Sequence, residues 1–456
     1  MNDGGTSEGR IEREVGRLLN LADGEQAIPD IVHLGEPAIP ALERVLRGPS
    51  QALHHSRCWA ADALAAIDGP LAITSLERAL HDCAHRTPPA LSREAEDVVV
   101  SCIADHLTTA AESHVVDALL GALETRPYPG CVRALGRIGN TRAIPLLVRA
   151  LFEDATREGA AAALRRMGRA CVPAVIAALR DIHRVNGAEP PTYVDGRADA
   201  AAVLGTLLSQ CPCLSVQDRS QALQTLRKAL TDSQRIVRMA SALALIRCQH
   251  RVQIAIRVLV RALDEPDWYR LAPVMRVLLQ LGSRIEPALF DTLTSPAHTE
   301  RAARRRRHAI WIAGQLGTPA AVRVLSSICA PHDTSLRLAL INALDRSGPT
   351  QPSALERYLE DSELAVRRQA LLALYRRHAV SIPYAVQLLG DPDRQIRRLA
   401  SACLAERRVD AQPALGRVVL SLGLPLHGLK RRLRLSWHAT LWLLSKHDRE
   451  PPLPLH

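Results

Sequence analysis

Residues 361–374 read DSELAVRRQALLAL, and residues 391–404 read DPDRQIRRLASACL. Each stretch opens with an aspartate, has an arginine six positions later, and continues through about three turns of Ala- and Leu-rich sequence with helical periodicity. A helix–turn–helix unit is therefore being reused, which predicts an all-α fold of the α-solenoid class. The spacing occurs four times, in the pairs Asp232/Arg238, Asp264/Arg270, Asp361/Arg367 and Asp391/Arg397.

The repeat can be followed through most of the chain. We predict roughly a dozen helical hairpins in one continuous solenoid over residues 11–446, with a capping helix near 429–446. Residues 1–10 are expected to be a disordered N-terminus and residues 447–456 a tail. The segment Asn186–Gly196 contains Pro and Gly and is expected to be a loop that projects from the body.

The composition suits helix packing but leaves the binding partner open. Hydrophobic residues make up 47% of the 456 residues and aromatic residues only 3%, so the core must be built from Ala, Leu, Val and Ile. A formal net charge of +11 suggests nucleic acid as a partner. However, only three of the 58 basic residues are lysines, a skew typical of a GC-rich genome, and the repeat gives many arginines structural roles.

The cysteines and the apolar runs indicate a cytoplasmic protein. Most of the ten cysteines stand inside apolar helical runs, where a free thiol behaves as a small buried hydrophobic group, and this usage is typical of a reducing compartment. Residues 1–10 contain no apolar segment of the kind found in signal peptides. No run of about 18 apolar residues occurs, so no membrane span is expected.

Three segments resemble a known family. Residues 34–42 (LGEPAIPAL) and the stretches 361–374 and 391–404 are similar to HEAT repeats, in the short variety also seen in phycobilin lyase subunits. The resemblance covers most of residues 28–410 and implies that the second helix of each hairpin lines a concave face. It implies no particular activity, because HEAT arrays include scaffolds, adaptors, lyases and nucleic-acid binders.

The paired aspartates and arginines are expected to stabilise the repeat. The turn aspartate can accept hydrogen bonds from the exposed N–H groups of the following helix, and the arginine can reach an acid of its own or of the neighbouring unit. We call this set the structural ladder; it comprises Asp232, Arg238, Asp264, Arg270, Asp361, Arg367, Asp391 and Arg397.

A second set of arginines exceeds what the repeat needs and is the candidate partner-binding site. Four consecutive arginines follow Arg301, and only Arg305 fits the ladder register, so the others either form a solvated helix start or bind an anionic partner. Arginines in the last turn of second helices either offset the helix dipole or form a basic stripe. The predicted site comprises Arg301, Arg304, Arg306 and Arg307, which we call the basic lip, together with Arg376, Arg377, Arg407 and Arg408.

No constellation of catalytic residues stands out. The sequence contains no Gly-rich phosphate loop, no His-Glu dipeptide and no Gly-x-Ser-x-Gly motif. The alternating spacing of the most metal-like cluster does not fit a zinc site, so we predict no metal, no cofactor and no catalytic residue. That cluster comprises His81, Cys83 and His85, with His54, His55 and Cys58 one repeat earlier.

The leading hypothesis is a non-catalytic, bacterial-type HEAT scaffold that binds a protein partner with an acidic surface through its concave helices and basic lip. The alternative from another class is a nucleic-acid-binding solenoid whose arginines contact phosphates. A bilin-lyase-like or DNA-glycosylase-like HEAT enzyme is a third hypothesis. For a glycosylase cleft the sequence offers only Trp268, Tyr269 and Trp311 as aromatic residues.

Overall fold

The computed structural model describes residues 4–49, 54–87, 92–108, 112–296, 298–328, 333–347 and 352–406. Within these ranges the regular secondary structure is helical, apart from one isolated β-bridge between Val185 and Ala188. The predicted capping helix at 429–446 and the tail at 447–456 lie outside the described residues. The chain divides into two compact units, Met1–Val258 and Leu259–His456.

Fourteen helices lie wholly within the described part of the first unit. They are α1 (Gly4–Arg17), α2 (Gly24–Leu34), α3 (Ile39–Leu46), α4 (His54–Ile67), α5 (Pro70–Ala84), α6 (Arg93–His106), α7 (Ser113–Thr125), α8 (Pro129–Ile138), α9 (Ile144–Ala150), α10 (Arg157–Met167), α11 (Val172–Arg180), α12 (Pro191–Gln210), α13 (Val216–Ala229) and α14 (Arg235–Arg247).

Helix α15 (Val252–Arg261) contains the boundary between the units. The described part of the second unit then contains α16 (Trp268–Leu281), α17 (Glu286–Thr294), α18 (Glu300–Leu316), α19 (Pro319–Ser327), α20 (Thr334–Arg346), α21 (Ser353–Glu356), α22 (Leu364–Arg376), α23 (Ile382–Leu388) and α24 (Arg394–Glu406).

Each unit is a stack of helical hairpins. In the first unit every even-numbered helix from α2 to α12 packs on the next even-numbered helix, and odd-numbered helices from α1 to α11 likewise contact the next odd-numbered helix. In the second unit the even-numbered helices α16 to α24 contact one another in the same order. This arrangement confirms the predicted all-α solenoid, because each hairpin buries its apolar stripe against its neighbours. Whether one solenoid runs without interruption over 11–446 stays a prediction.

Small residues set the spacing along the row of second helices. Gly136 on α8 lies against Ala163 on α10, and a Cβ added to the glycine would lie 2.5 Å from that of Ala163. Gly205 on α12 stands in the same relation to Ala244 on α14. The Ala-rich composition therefore has a structural cause, since larger side chains would force consecutive second helices apart.

The structure corrects two predictions about irregular segments. Residues 4–10, expected to be disordered, form the start of α1, because this segment contains no proline and continues into a helical sequence. Residues 191–196 of the predicted projecting loop are the first turns of α12, which begins at Pro191. The remainder is a tight turn at Asn186 and Gly187, with φ of 52° and 81°.

Candidate partner-binding site

The ladder arginines first fasten their own turn. Nη1 of Arg367 donates to the backbone carbonyl of Asp361 at 2.8 Å and to that of Ser362 at 3.0 Å. Arg397 makes the equivalent bonds to the carbonyls at 391 and 392, and Arg238 to those at 232 and 233. The spacing of six residues is thus explained by a side chain that reaches back to backbone carbonyls of the turn before its helix.

The ladder carboxylates, in contrast, bind arginines of other hairpins. Nε of Arg367 lies 2.9 Å from the carboxylate of Asp391, which belongs to the following turn. Asp361 in the same way meets Arg337, at 2.9 Å. Each carboxylate also accepts a backbone N–H of its own turn, from Glu363 in one case and from residue 393 in the other. Consecutive hairpins are therefore joined by charge-assisted bonds.

Asp264 and Arg270 depart from this scheme, whereas Asp232 follows it. Asp264 is bonded by Arg305 at 3.2 Å, from the hairpin that follows, while Arg270 lies 3.4 Å from the carboxylate of Asp267. Asp232 pairs with Arg197, an arginine of the preceding hairpin that the sequence pattern did not single out. The Asp–Arg spacing did not reveal Arg197 because its helix begins at a proline instead of at a turn aspartate.

We expect Arg367 and Asp391 to be energetically coupled. The double variant Arg367→Ala/Asp391→Ala should lose less stability than the sum of the single variants, by about 0.5–3 kcal/mol, because either single change leaves the other charge without its partner. Urea denaturation of the four proteins measures this coupling. The matched comparison is Asp361 with Arg367, where alanine at 361 keeps the carbonyl that Arg367 binds. A smaller coupling is expected there, and equal coupling for both pairs would contradict the assignment.

The basic lip lies within α18 and not at its first residue. The helix is capped by Thr299, whose side-chain oxygen accepts from the N–H of Ala302 at 3.2 Å. Arg301 in the first turn is exposed, whereas Arg304 and its three successors stand in the second turn and are all half-buried. These four side chains therefore contact the protein around them, and whether they also bind an anionic partner stays a prediction.

Arg305 and Arg306 face buried surroundings. Arg305 serves the ladder through Asp264, whose carboxylate is almost inaccessible to solvent. Burial lowers the pKa of Arg306, and the charge of Asp333 only partly offsets that effect. The Nε of Arg306 is buried and makes no hydrogen bond to any part of the chain that the structure describes. A charged group with an unmet donor carries a desolvation cost that an anion could relieve.

Arg304 and Arg307 border a cleft in the second unit, with a volume of about 420 Å³. Both guanidinium groups approach the exposed carboxylate of Glu300, at 3.8 Å from Arg304 and 3.0 Å from Arg307. We call this cavity the Trp268 cleft; its walls are Glu265, Pro266, Trp268, Leu271, Arg304, Arg307 and His308.

Part of the cleft wall is apolar and aromatic. Trp268 opens α16 behind the cap Asp267, whose carboxylate accepts from the N–H of Tyr269 at 2.9 Å. The local cap leaves both aromatic side chains outside the core, with 59% of Trp268 and 89% of Tyr269 exposed. The sequence pattern did indicate this pair, but only as an element of an enzyme cleft.

His308 completes the cleft with a defined tautomer. Its Nδ1 lies 2.5 Å from the carbonyl oxygen of Leu263, which can only accept, so Nδ1 carries the proton. In the neutral ring Nε2 is then a hydrogen-bond acceptor. The cleft thus combines two cationic guanidinium groups, an imidazole whose Nε2 can accept a hydrogen bond, and an exposed indole.

The remaining arginines of the predicted site are engaged elsewhere or lie outside the described residues. Arg377 donates to the carbonyls of Leu344 and Ser347 at 2.6 and 2.9 Å, and Arg376 pairs with the carboxylate of Asp345. Both arginines thus fasten α22 to the end of α20. Neither hypothesis from the sequence, an offset of the helix dipole or a free basic stripe, predicted this role. Arg407 and Arg408 lie outside the described residues. Whether any of these four contacts a partner stays a prediction.

The cluster considered as a metal site in the sequence is not assembled. His81 and His85 stack on each other with ring centroids 4.3 Å apart, one turn apart on α5 and at its end. Cys83 stands between the two histidines in sequence, but its side chain is buried in the core, where the guanidinium of Arg57 lies 3.0 Å from its sulfur. The helical backbone separates these side chains, as the period of 3.6 residues requires.

Comparison with known proteins identifies the repeat type. Residues 130–153, which include all of α9 and nearly all of α8, match the family described as PBS lyase HEAT-like repeat. No curated protein matches the sequence of this chain. No helix within the described ranges is both long enough and apolar enough to cross a bilayer.

Two solved structures give the scale of structural likeness. Importin beta, crystallised in an ammonium sulfate condition, is 14% identical with a TM-score of 0.41 over 86% of this chain, which spans 55% of the importin beta chain. Human deoxyhypusine hydroxylase in complex with glycerol is 17% identical, with a TM-score of 0.22. The match covers 68% of this chain and 96% of the hydroxylase chain. From the matched repeat, the stacked hairpins and the Asp–Arg contacts at their turns, we conclude that the chain is a HEAT-repeat protein.

Proposed function

We propose that this protein is a non-catalytic scaffold that holds a protein partner at the Trp268 cleft. The observation that carries the proposal is that an exposed indole lines the same cleft as Arg304 and Arg307. Tryptophan and arginine are the side chains most enriched among residues that dominate protein–protein binding energy. An extended stretch of acidic residues next to an apolar side chain fits this combination.

The arginines of the cleft retain capacity for such a ligand. Arg304 and Arg307 share one carboxylate, that of Glu300, which is itself 68% exposed. A guanidinium offers five N–H donors, so a carboxylate from the partner can bind without breaking a buried pair. Since exposed ion pairs contribute at most about 1 kcal/mol, replacing Glu300 by a partner carboxylate also costs little.

Nucleic acid is the alternative partner, and local charge pairing disfavours it. A phosphate backbone needs a continuous row of available cations. Arg376 and Arg377 are engaged by Asp345, so they are not available for such a row. This pattern suits a short acidic segment better than a long polyanion.

The experiment compares captured partners across three variants. Tagged wild-type protein, Trp268→Ala, Arg307→Ala and Arg323→Ala are incubated with the same extract, and bound proteins are quantified by mass spectrometry. Arg323 is the matched control, because it is an exposed arginine of the same unit on first helix α19. We expect both cleft variants to lower partner affinity by about tenfold or more and the control to leave it unchanged.

Two results would contradict the proposal. Equal loss of partners in Arg323→Ala would mean that general positive charge, not the cleft, retains them. Binding of DNA or RNA with an affinity that falls linearly in log–log form with salt would support the alternative. Circular dichroism of each variant confirms that the helix content is retained.

A further inference from the structure

Three side chains with metal-binding chemistry, those of Asp62, Cys102 and His106, meet between two second helices of the first unit, and Cys58 lies one turn away on α4. Helix α4 carries Cys58 and Asp62, and its neighbour α6 carries Cys102 and His106. Within each helix the two residues are four apart, so both project from the same face. This cluster is independent of the Trp268 cleft, which belongs to the other unit.

The ligand atoms are already close together. Nε2 of His106 lies 2.6 Å from a carboxylate oxygen of Asp62, and the sulfur of Cys102 lies 3.8 Å from the same oxygen. The three atoms all fall within 4.8 Å of one another. Cys58 stands one turn before Asp62 on α4, and its backbone carbonyl lies 3.9 Å from the sulfur of Cys102.

We propose that Cys58, Asp62, Cys102 and His106 bind one zinc ion and thereby fasten α4 to α6. Two thiolates, one imidazole and one carboxylate are a ligand set that zinc takes in tetrahedral geometry. All four residues are half-buried, which gives an ion access from solvent while restricting the motion of the ligands.

The two distances to the Asp62 oxygen require only a small adjustment. Around a tetrahedral zinc ion, a thiolate sulfur and a carboxylate oxygen lie about 3.6 Å apart, and an imidazole nitrogen and a carboxylate oxygen about 3.4 Å. The sulfur–oxygen distance of 3.8 Å is near the first value. The nitrogen–oxygen distance of 2.6 Å must lengthen by less than 1 Å as the ion replaces the hydrogen bond between His106 and Asp62.

Cobalt(II) is the probe, because its spectrum reports both geometry and sulfur ligation. Full-length protein is reduced, freed of metal and titrated with Co²⁺. We expect one equivalent to produce intense visible d–d bands and a near-ultraviolet thiolate-to-cobalt band, both abolished by one equivalent of Zn²⁺. Absence of the thiolate band in the wild type would overturn the proposal whatever the variants do.

Variants then locate the site. Cys102→Ser should weaken Co²⁺ binding by about a hundredfold or more, since loss of a ligand exceeds the effect of losing an outer-shell contact. Cys58→Ser should lose part of the thiolate band. Cys213→Ser is the matched control, because this exposed cysteine lies in the loop before α13, and it should bind as the wild type does.

Two further results would overturn the assignment. One is a thiolate band that Cys102→Ser leaves intact, which would place the metal at other cysteines. The other is a disulfide between Cys58 and Cys102 in the protein as purified, found by peptide mapping without reduction, because a disulfide does not supply thiolate ligands. A zinc-dependent rise in the melting temperature, present in Cys213→Ser and absent in Cys102→Ser, would support the site without relying on cobalt.

Discussion

Replacing Arg57 by alanine is expected to lower the free energy of unfolding by about 3–5 kcal/mol. The guanidinium binds both carboxylate oxygens of Glu96, at 2.6 and 2.9 Å, and its Nε donates to the carbonyl of Leu46 at 2.9 Å. The Arg57 side chain is 1% exposed and that of Glu96 is fully buried. Alanine would leave a buried carboxylate whose remaining cationic neighbour among the described residues is Arg86, at 3.7 Å. Urea denaturation followed by circular dichroism measures the loss.

Two controls separate the loss of the pair from general loss of arginine. Arg142→Ala removes an exposed ion pair with Asp117 and should change stability by at most about 1 kcal/mol. The double variant Arg57→Met/Glu96→Leu removes both buried charges and should recover most of the loss. A double variant as unstable as Arg57→Ala would show that packing, not the uncompensated charge, is responsible.

The same pair predicts a pH dependence. Burial by itself raises the pKa of Glu96, but the hydrogen bonds and charge of Arg57, with the charge of Arg86, bring it below the ordinary value. A carboxyl with a depressed pKa stabilises the fold above its unfolded pKa of about 4.3, and this contribution is lost as the pH falls through the folded value. The stability gap between wild type and Arg57→Ala should therefore be widest at neutral pH and narrow in acid.

The second large effect is expected from one added methyl group. In Gly314→Ala the new Cβ would lie 2.6 Å from the Cα of Ala343 and 2.7 Å from its Cβ, so α18 and α20 must separate. Overpacking of this kind costs about 1–3 kcal/mol. The matched control is Gly121→Ala, because Gly121 also lies inside a helix but a Cβ added there would have no neighbouring atom within 4 Å among the described residues.

The two glycine variants should therefore change stability in opposite directions. Alanine at 121 should stabilise the protein by about 0.5–1 kcal/mol, since it restricts the unfolded chain and favours helix. Thermal denaturation of both variants beside the wild type provides the comparison. Destabilisation by both, or by neither, would mean that the close approach of α18 and α20 does not constrain position 314.

The candidate sites show which contacts could be predicted from the sequence and which could not. The ladder register predicted a structural role for Arg305, and in the structure its guanidinium binds the carboxylate of Asp264. The partners of Arg376 and Arg377 lie 30 or more residues upstream and had no local signal. The zinc ligands did have one, a Cys-x-x-x-Asp followed by a Cys-x-x-x-His, each four apart on a helix. That signal was readable only once α4 and α6 were known to be neighbours.

The sequence by itself determined the helical class and the repeat, because both depend on interactions within a few residues. Helical periodicity places the apolar stripe, and an arginine six positions after the turn reaches carbonyls of that same turn. Tertiary structure decided which carboxylate each arginine meets, how deeply Arg304 and its successors are buried, and which cysteines face each other. Those contacts depend on the rise and rotation between stacked hairpins, which the close packing of small residues constrains and which local periodicity does not encode.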